Sequence, residues 1–226
     1  MSLASRGNAE RPEPGFGAPR SEVARSWLLL AVAVIGFATF LLVDVFLGPA
    51  VLLLLVSVAP PSGVTWRPMR SGAVLARYVP FALVWVAVAT AYLWLMKAIG
   101  HAIPPQPVLQ QFLAFEQSGW PLLRMIVLVV ILAPVAEEIL FRGYLFTALS
   151  KTVPMWLTQV ITALLFGLVH GLGHALPIAL LSLLFGYLRQ RYGSLLPSIL
   201  AHAVHNAVTL ALLMTWPELL DLFYNR

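Results

Sequence analysis

Long apolar runs separated by short polar breaks make up almost the whole chain. Residues 27–59 are apolar apart from Asp44 and the Gly48-Pro49 pair. One membrane crossing takes about 20 residues. This run is therefore either one long tilted helix or a hairpin of two helices turned near Gly48-Pro49. Residues 60–77 form a loop carrying Arg67, Arg70 and Arg77. Residues 78–96 read as a span. Residues 101–120, rich in proline and glutamine, read as a loop with room for a surface helix. Further spans follow at 121–149, 156–170, 177–188 and 195–214. The breaks between them are the Lys151–Pro154 turn, the Gly171-Leu172-Gly173-His174 run and Gly193. The pattern predicts an all-α, polytopic transmembrane helix bundle.

Basic residues decide between one and two helices at 27–59. With a hairpin, one side of the membrane receives Arg6, Arg11, Arg20, Arg25, Arg67, Arg70, Arg77, Arg142, Lys151, Arg189 and Arg191. The other side receives Lys97, Arg124 and Arg226, so the 14 basic residues divide eleven to three. A single first helix would divide them evenly. Basic residues accumulate on the cytoplasmic side, which favours the hairpin. The expectation is about seven spans with the N-terminus cytoplasmic, in the cytoplasmic (inner) membrane. Four regions follow: a disordered polar tail at 1–26, N-terminal helices and loop at 27–120, a membrane core at 121–214 and a short tail at 215–226.

Composition agrees. Of 226 residues, 60% are hydrophobic and 10% charged, against about 25% charged in soluble domains. The net charge of +5 sits in loops between apolar runs. That is a topology signal and not a nucleic-acid face, so no nucleic-acid partner is expected. The chain has no cysteine, which excludes disulfides, thiolate catalysis and cysteine metal clusters. The polar start lacks the apolar core and small-residue cleavage site of a signal peptide. No internal repeat is evident, which argues against a transporter built of inverted halves.

Chemistry concentrates where charge interrupts the apolar runs. Charge at membrane depth costs about 2.5–3.5 kcal/mol per residue on insertion scales and persists mostly where it has a task. Glu137, Glu138 and Arg142 lie inside the 121–149 run. Glu138 and Arg142 are four residues apart, about 40° around a helix, and can pair. Glu137 lies about 140° from Arg142 and is left over, a candidate general base. The bland alternative is a structural clamp whose second acid pairs elsewhere.

His170 shares a helix face with Phe166, between Gly167 and Gly171, small residues that let a neighbouring helix approach. His202 and Asn206 share a face on the last span, with His205 placed to line the same pocket. His101, His174 and Glu116 read as structural, as does Asp44. Glu137 and His170 lie equally far from the 153–154 turn, about 25 Å along each helix, so they can face each other. His202 is only about 13 Å from the Gly193 turn and fits this depth less well. A carboxylate, two histidines and an amide are the parts for activating water and stabilising an oxyanion. One glutamate with two histidines is also a competent zinc set with an open position.

Three motifs stand in order: Glu-Glu-x-x-x-Arg (Glu137, Glu138, Arg142), Phe-x-x-x-His (Phe166, His170) and His-x-x-x-Asn (His202, Asn206). Together with the Phe-Arg-Gly run after the acids, they resemble the CAAX-protease and bacteriocin-processing family, also called Abi or CPBP. These are all-helical intramembrane endopeptidases, and the resemblance covers about 121–210. It implies that Glu137 activates water, that His170 orients the same water, and that His202 and Asn206 stabilise the oxyanion. Glu138, Arg142 and Phe166 would shape the site. The implied cofactor is either none or zinc. In the zinc case Glu137, His170 and His202 become ligands, although the chain lacks the His-Glu-x-x-His run common in soluble zinc proteases. The implied partners are a membrane-anchored protein or peptide substrate and the lipid bilayer. Two other classes use the same residues: a small proton or metal-ion transporter, and a non-catalytic scaffold that binds anchors.

Overall fold

The computed structural model describes residues 17–44, 46–106, 109–110, 119–218 and 224. All regular structure among them is helical. Among the described residues the longer helices follow in order: α1 (Arg20–Val43), α2 (Leu47–Val58), α3 (Ser71–Ala98), α4 (119–150), α5 (Met155–Val169), α6 (Ala175–Tyr192) and α7 (Leu196–Thr215). Among the described residues four segments are long and apolar enough to cross a membrane: Arg20–Thr39, Ser71–Ala98, Leu172–Tyr192 and Leu196–Thr215. Helices α2 and α5 are apolar but shorter. The outer surface is apolar as well. Leu42, Leu83 and Val84 of α1 and α3 are exposed, as suits a lipid-facing bundle.

The hairpin at 27–59 forms, with two corrections. Its turn involves Asp44 and Phe46, ahead of Gly48-Pro49. The Asp44 carboxylate accepts the Phe46 N–H at 2.8 Å, closing the turn locally. Pro49 then falls in the first helical turn, where a missing N–H costs nothing. The first helix also begins at Arg20, so the last residues of the expected polar tail are helical. Residues 1–16 lie outside the described residues, as do Glu116 and most of the 107–118 stretch.

Helix α4 is not one regular α-helix. Two π-helical segments, Val127–Leu132 and Ile139–Leu145, flank the α-helical Ala133–Glu138. Such single π turns inside helices are frequent at functional sites. The two acids therefore sit on the short α segment, with a change of winding on each side.

Two apolar clusters hold the bundle. Ala33, Leu52, Ile139, Tyr144 and Leu195 join α1, α2 and α4 to the start of α7. Val74, Tyr78, Leu184, Phe185 and Ala201 join α3, α6 and α7. Between α5 and α6 the backbones come very close at Gly167. A Cβ there would overlap the Ala175 carbonyl and lie 3.0 Å from the Ala179 nitrogen. This is the close approach expected of a small residue beside His170. Gly171 differs: it has open space around it but a φ of 97°, which favours glycine on backbone grounds. Gly167→Ala is expected to destabilise the protein by about 1–3 kcal/mol through overpacking. Thermal unfolding in detergent would show this as a lowered midpoint; an unchanged midpoint would mean that α5 and α6 separate freely.

The loops rich in basic residues meet at one end. Lys151 Nζ donates to Ser26 Oγ at 2.9 Å and Ser62 Oγ at 3.0 Å, and pairs with Glu22 at 3.5 Å. Arg189 donates to Gly63 O at 3.0 Å. The 59–70 loop folds over the turn between α6 and α7. Thr65 Oγ1 donates to Gly193 O at 2.6 Å, and Leu195 N–H donates to Thr65 O at 3.1 Å. Ser194 and Leu195 are buried in consequence.

Candidate active site

Glu137, His170 and His202 come together from α4, α5 and α7. The Nε2 atoms of His170 and His202 each lie 3.8 Å from Glu137 Oε2. The equal-depth expectation for Glu137 and His170 holds. The depth mismatch expected for His202 does not, because the turn before α7 is tucked beneath the 59–70 loop and does not lie at the bundle's edge. His205 does not join the site. Its Nδ1 lies 3.3 Å from Tyr78 Oη and its ring meets Trp85 edge-on. The 60° between His202 and His205 was enough to turn it onto α3.

Each imidazole is held from behind. His170 Nδ1 donates to Phe166 O at 2.7 Å; a carbonyl only accepts, so Nδ1 carries the hydrogen. His202 Nδ1 donates to Glu138 Oε1 at 3.0 Å. Both rings thus turn Nε2 toward Glu137. The Glu137 Oε2 atom is buried and has no hydrogen-bond partner among the described residues. Around the site Glu137 and His170 side chains are 26% and 24% exposed, while Glu138 and Arg142 are 0% exposed. Glu137 is thus partly exposed and its neighbour Glu138 is sealed.

The sealed pair is the base of the site. Arg142 Nη1 donates to Glu138 Oε1 at 2.9 Å, the i,i+4 pairing expected from the sequence. Arg142 Nη2 donates to Ser182 Oγ at 2.5 Å and Ser182 O at 3.0 Å. The guanidinium lies 4.5 Å from the Phe166 ring centre, a cation–π contact strengthened by the lack of water. Phe166 also meets His170 at 4.8 Å and His202 at 5.7 Å between ring centres, so it spaces both imidazoles as well as the guanidinium. Phe185 stacks on His202 at 4.7 Å, with 19° between planes.

Ser182 and Phe185 escape motif reading. The one signal was a hydroxyl within the apolar 177–188 run, three residues before an aromatic. Asn206 lies one turn beyond His202, and its Nδ2 donates to Val129 O at 2.9 Å. His174, read as structural, is buried and bonded through Nε2 to Pro104 O at 2.9 Å.

The donor chemistry of Glu137, His170 and His202 suits zinc, and their Nδ1–H groups are anchored as zinc-bound imidazoles usually are. Their spacing does not suit it. Donors around tetrahedral zinc, with bonds near 2.0–2.1 Å, stand about 3.3–3.4 Å apart, and here both pairs are at 3.8 Å. Among the described residues no group of three His, Asp or Glu side chains is placed to hold an ion.

Residues 119–208 match a family model described as "Rce1-like: Type II CAAX prenyl endopeptidase Rce1-like". The matched segment contains all three motifs, together with Ser182 and Phe185. No curated protein and no solved structure matches the chain.

Proposed function

We propose that this bundle is an intramembrane endopeptidase. It hydrolyses a peptide bond near the C-terminus of a lipidated or membrane-anchored substrate, using water activated by Glu137. The observation that carries this reading is the Glu137 carboxylate oxygen without a hydrogen-bond partner, facing two imidazole nitrogens at 3.8 Å. That separation is too long for a direct hydrogen bond and leaves Glu137 Oε2 and His170 Nε2 as acceptors around one space, which suits a water that gives up its hydrogens.

In the proposed step Glu137 takes a proton from water as the water oxygen bonds to the scissile carbonyl carbon. His170, fixed by Phe166 O, orients the same water. The carbonyl oxygen becomes an oxyanion, stabilised by His202 and Asn206. For His202 to donate from Nε2 it must carry both protons, since Nδ1–H is already committed to Glu138. The oxyanion then collapses, the C–N bond breaks, and the proton held by Glu137 passes to the leaving amine. The chemistry takes no step through a metal, in keeping with the donor spacing. Exhaustive chelation is therefore expected to leave cleavage by the purified protein unchanged. Loss of activity restored by zinc alone would instead make Glu137, His170 and His202 ligands.

The orientation belongs to the same proposal. The end where Arg67, Arg70, Lys151 and Arg191 gather faces the cytoplasm, and the N-terminus lies there. The test compares C-termini of membrane proteins by mass spectrometry in cells with the native protein and with Glu137→Ala at equal abundance. A small set of proteins should keep an uncut C-terminal segment only in the variant. If no terminus and no internal cut differs, the peptidase reading is wrong, and ion flux in proteoliposomes becomes the next measurement.

A further inference from the structure

Pro134 lies three residues before Glu137, at the junction of the first π segment and the short α segment. In that π segment the Ala133 N–H bonds to Leu128 O, five residues back. Next in the same register, Pro134 would bond to Val129 O, but proline has no N–H. Val129 O is the acceptor taken by Asn206 Nδ2 at 2.9 Å. A polar side chain from a neighbouring helix thus replaces the donor that proline removes, a substitution that membrane interiors require. The clamp joins α4 to α7, the helix that carries His202, one turn away from Asn206. A second clamp, Glu138 Oε1 to His202 Nδ1 at 3.0 Å, joins the same two helices on the other side of Pro134.

We infer that Asn206 is a positioning residue in addition to its proposed oxyanion contact: by holding Val129 O it keeps the π turn before Pro134 open, and so fixes the rotation at which Glu137 meets His170 and His202. The Nδ2 atom has two hydrogens, and one is committed to this task. Relaxing the π turn into α-helix would shift the winding by one residue, about 100° of rotation, between the start of α4 and its acids. The inference depends on the peptidase reading only for its kinetic readout.

A double-mutant cycle tests it. Pro134→Ala returns an N–H that can serve Val129 O, so Asn206→Ala should cost less in that background. In the native background Asn206→Ala is expected to lower kcat by at least about tenfold with KM nearly unchanged; in the Pro134→Ala background the share due to lost positioning should vanish, leaving a clearly smaller loss from the oxyanion contact. Equal losses in both backgrounds would mean that Asn206 acts on the substrate alone and positions nothing, and the inference would be overturned. An unchanged kcat in the single variant would overturn it too. If the single variant fails to fold, restoration of folding by Pro134→Ala supports the inference, and its absence refutes it. Amide exchange of residues 127–138 gives a readout free of substrate. Protection there should fall in Asn206→Ala and recover with Pro134→Ala. If the native protein cleaves nothing, the proposed function fails while this exchange pattern still decides the role of Asn206.

Discussion

Glu137→Gln is expected to abolish detectable cleavage and leave the fold intact. A positioned general base contributes about 10²–10⁴-fold to rate, and the amide has nearly the same shape with no capacity to take the proton. Stability should not suffer, because the Glu137 Oε2 atom has no hydrogen-bond partner to lose. The amide can in fact donate to an imidazole Nε2 that the carboxylate could only face. Measured together, kcat/KM should collapse while the unfolding midpoint holds or rises. Normal turnover in this variant would remove Glu137 from the chemistry. A parallel fall in stability would make it a structural acid, and the adjacent residue already fills that place.

The second large effect concerns that neighbour. Arg142→Met should destabilise the protein by about 3–5 kcal/mol, the usual result of leaving one member of a buried ion pair uncompensated. Glu138 and Arg142 are both fully buried, and Arg142 also gives up two contacts to Ser182. Replacing both members, Glu138→Leu with Arg142→Met, should recover much of the loss, since no stranded charge remains. Activity should stay absent in the double variant, because His202 Nδ1 loses the carboxylate that sets its ring. Unfolding in detergent and a cleavage assay on the same preparations check this. A stable, active double variant would show that the His202 ring needs no support from Glu138.

These two acids were separable in the sequence because their difference is local. Five residues against four along a helix places one acid beside Arg142 and the other away from it. The facing of Glu137 and His170 was also legible, since it depends only on distance from one short turn. What could not be read was set by partners distant in sequence. The depth of His202 depends on a loop 130 residues earlier that folds inward over Gly193 and Leu195. The turn of His205 away from the site depends on Tyr78 and Trp85. Ser182 carries no motif, and its importance comes from Arg142 reaching across to it. The π turns depend on backbone hydrogen bonding, to which side-chain periodicity is blind. Pro134 was their one trace, and a proline alone does not say which winding surrounds it. The hairpin's existence followed from charge, but its turn was misplaced. A Gly-Pro pair reads as a break, whereas the Asp44 side chain closed the turn sooner.

The sealed charge cluster also sets an order of biogenesis. Helix α4 emerges from the ribosome with Glu138 and Arg142 before Ser182 and His202 have been synthesised. Until those arrive, the arginine has only its own-helix carboxylate, and the rest of its donors face lipid or water at a cost. Helix α4 should therefore remain loosely inserted, or be held by the insertion machinery, until α6 and α7 follow. Chains truncated after α5 should be recognised as unfinished and degraded, although they contain five of the seven helices. The buried pair beneath the candidate site would thus also act as a checkpoint, passed only once α6 and α7 are in place.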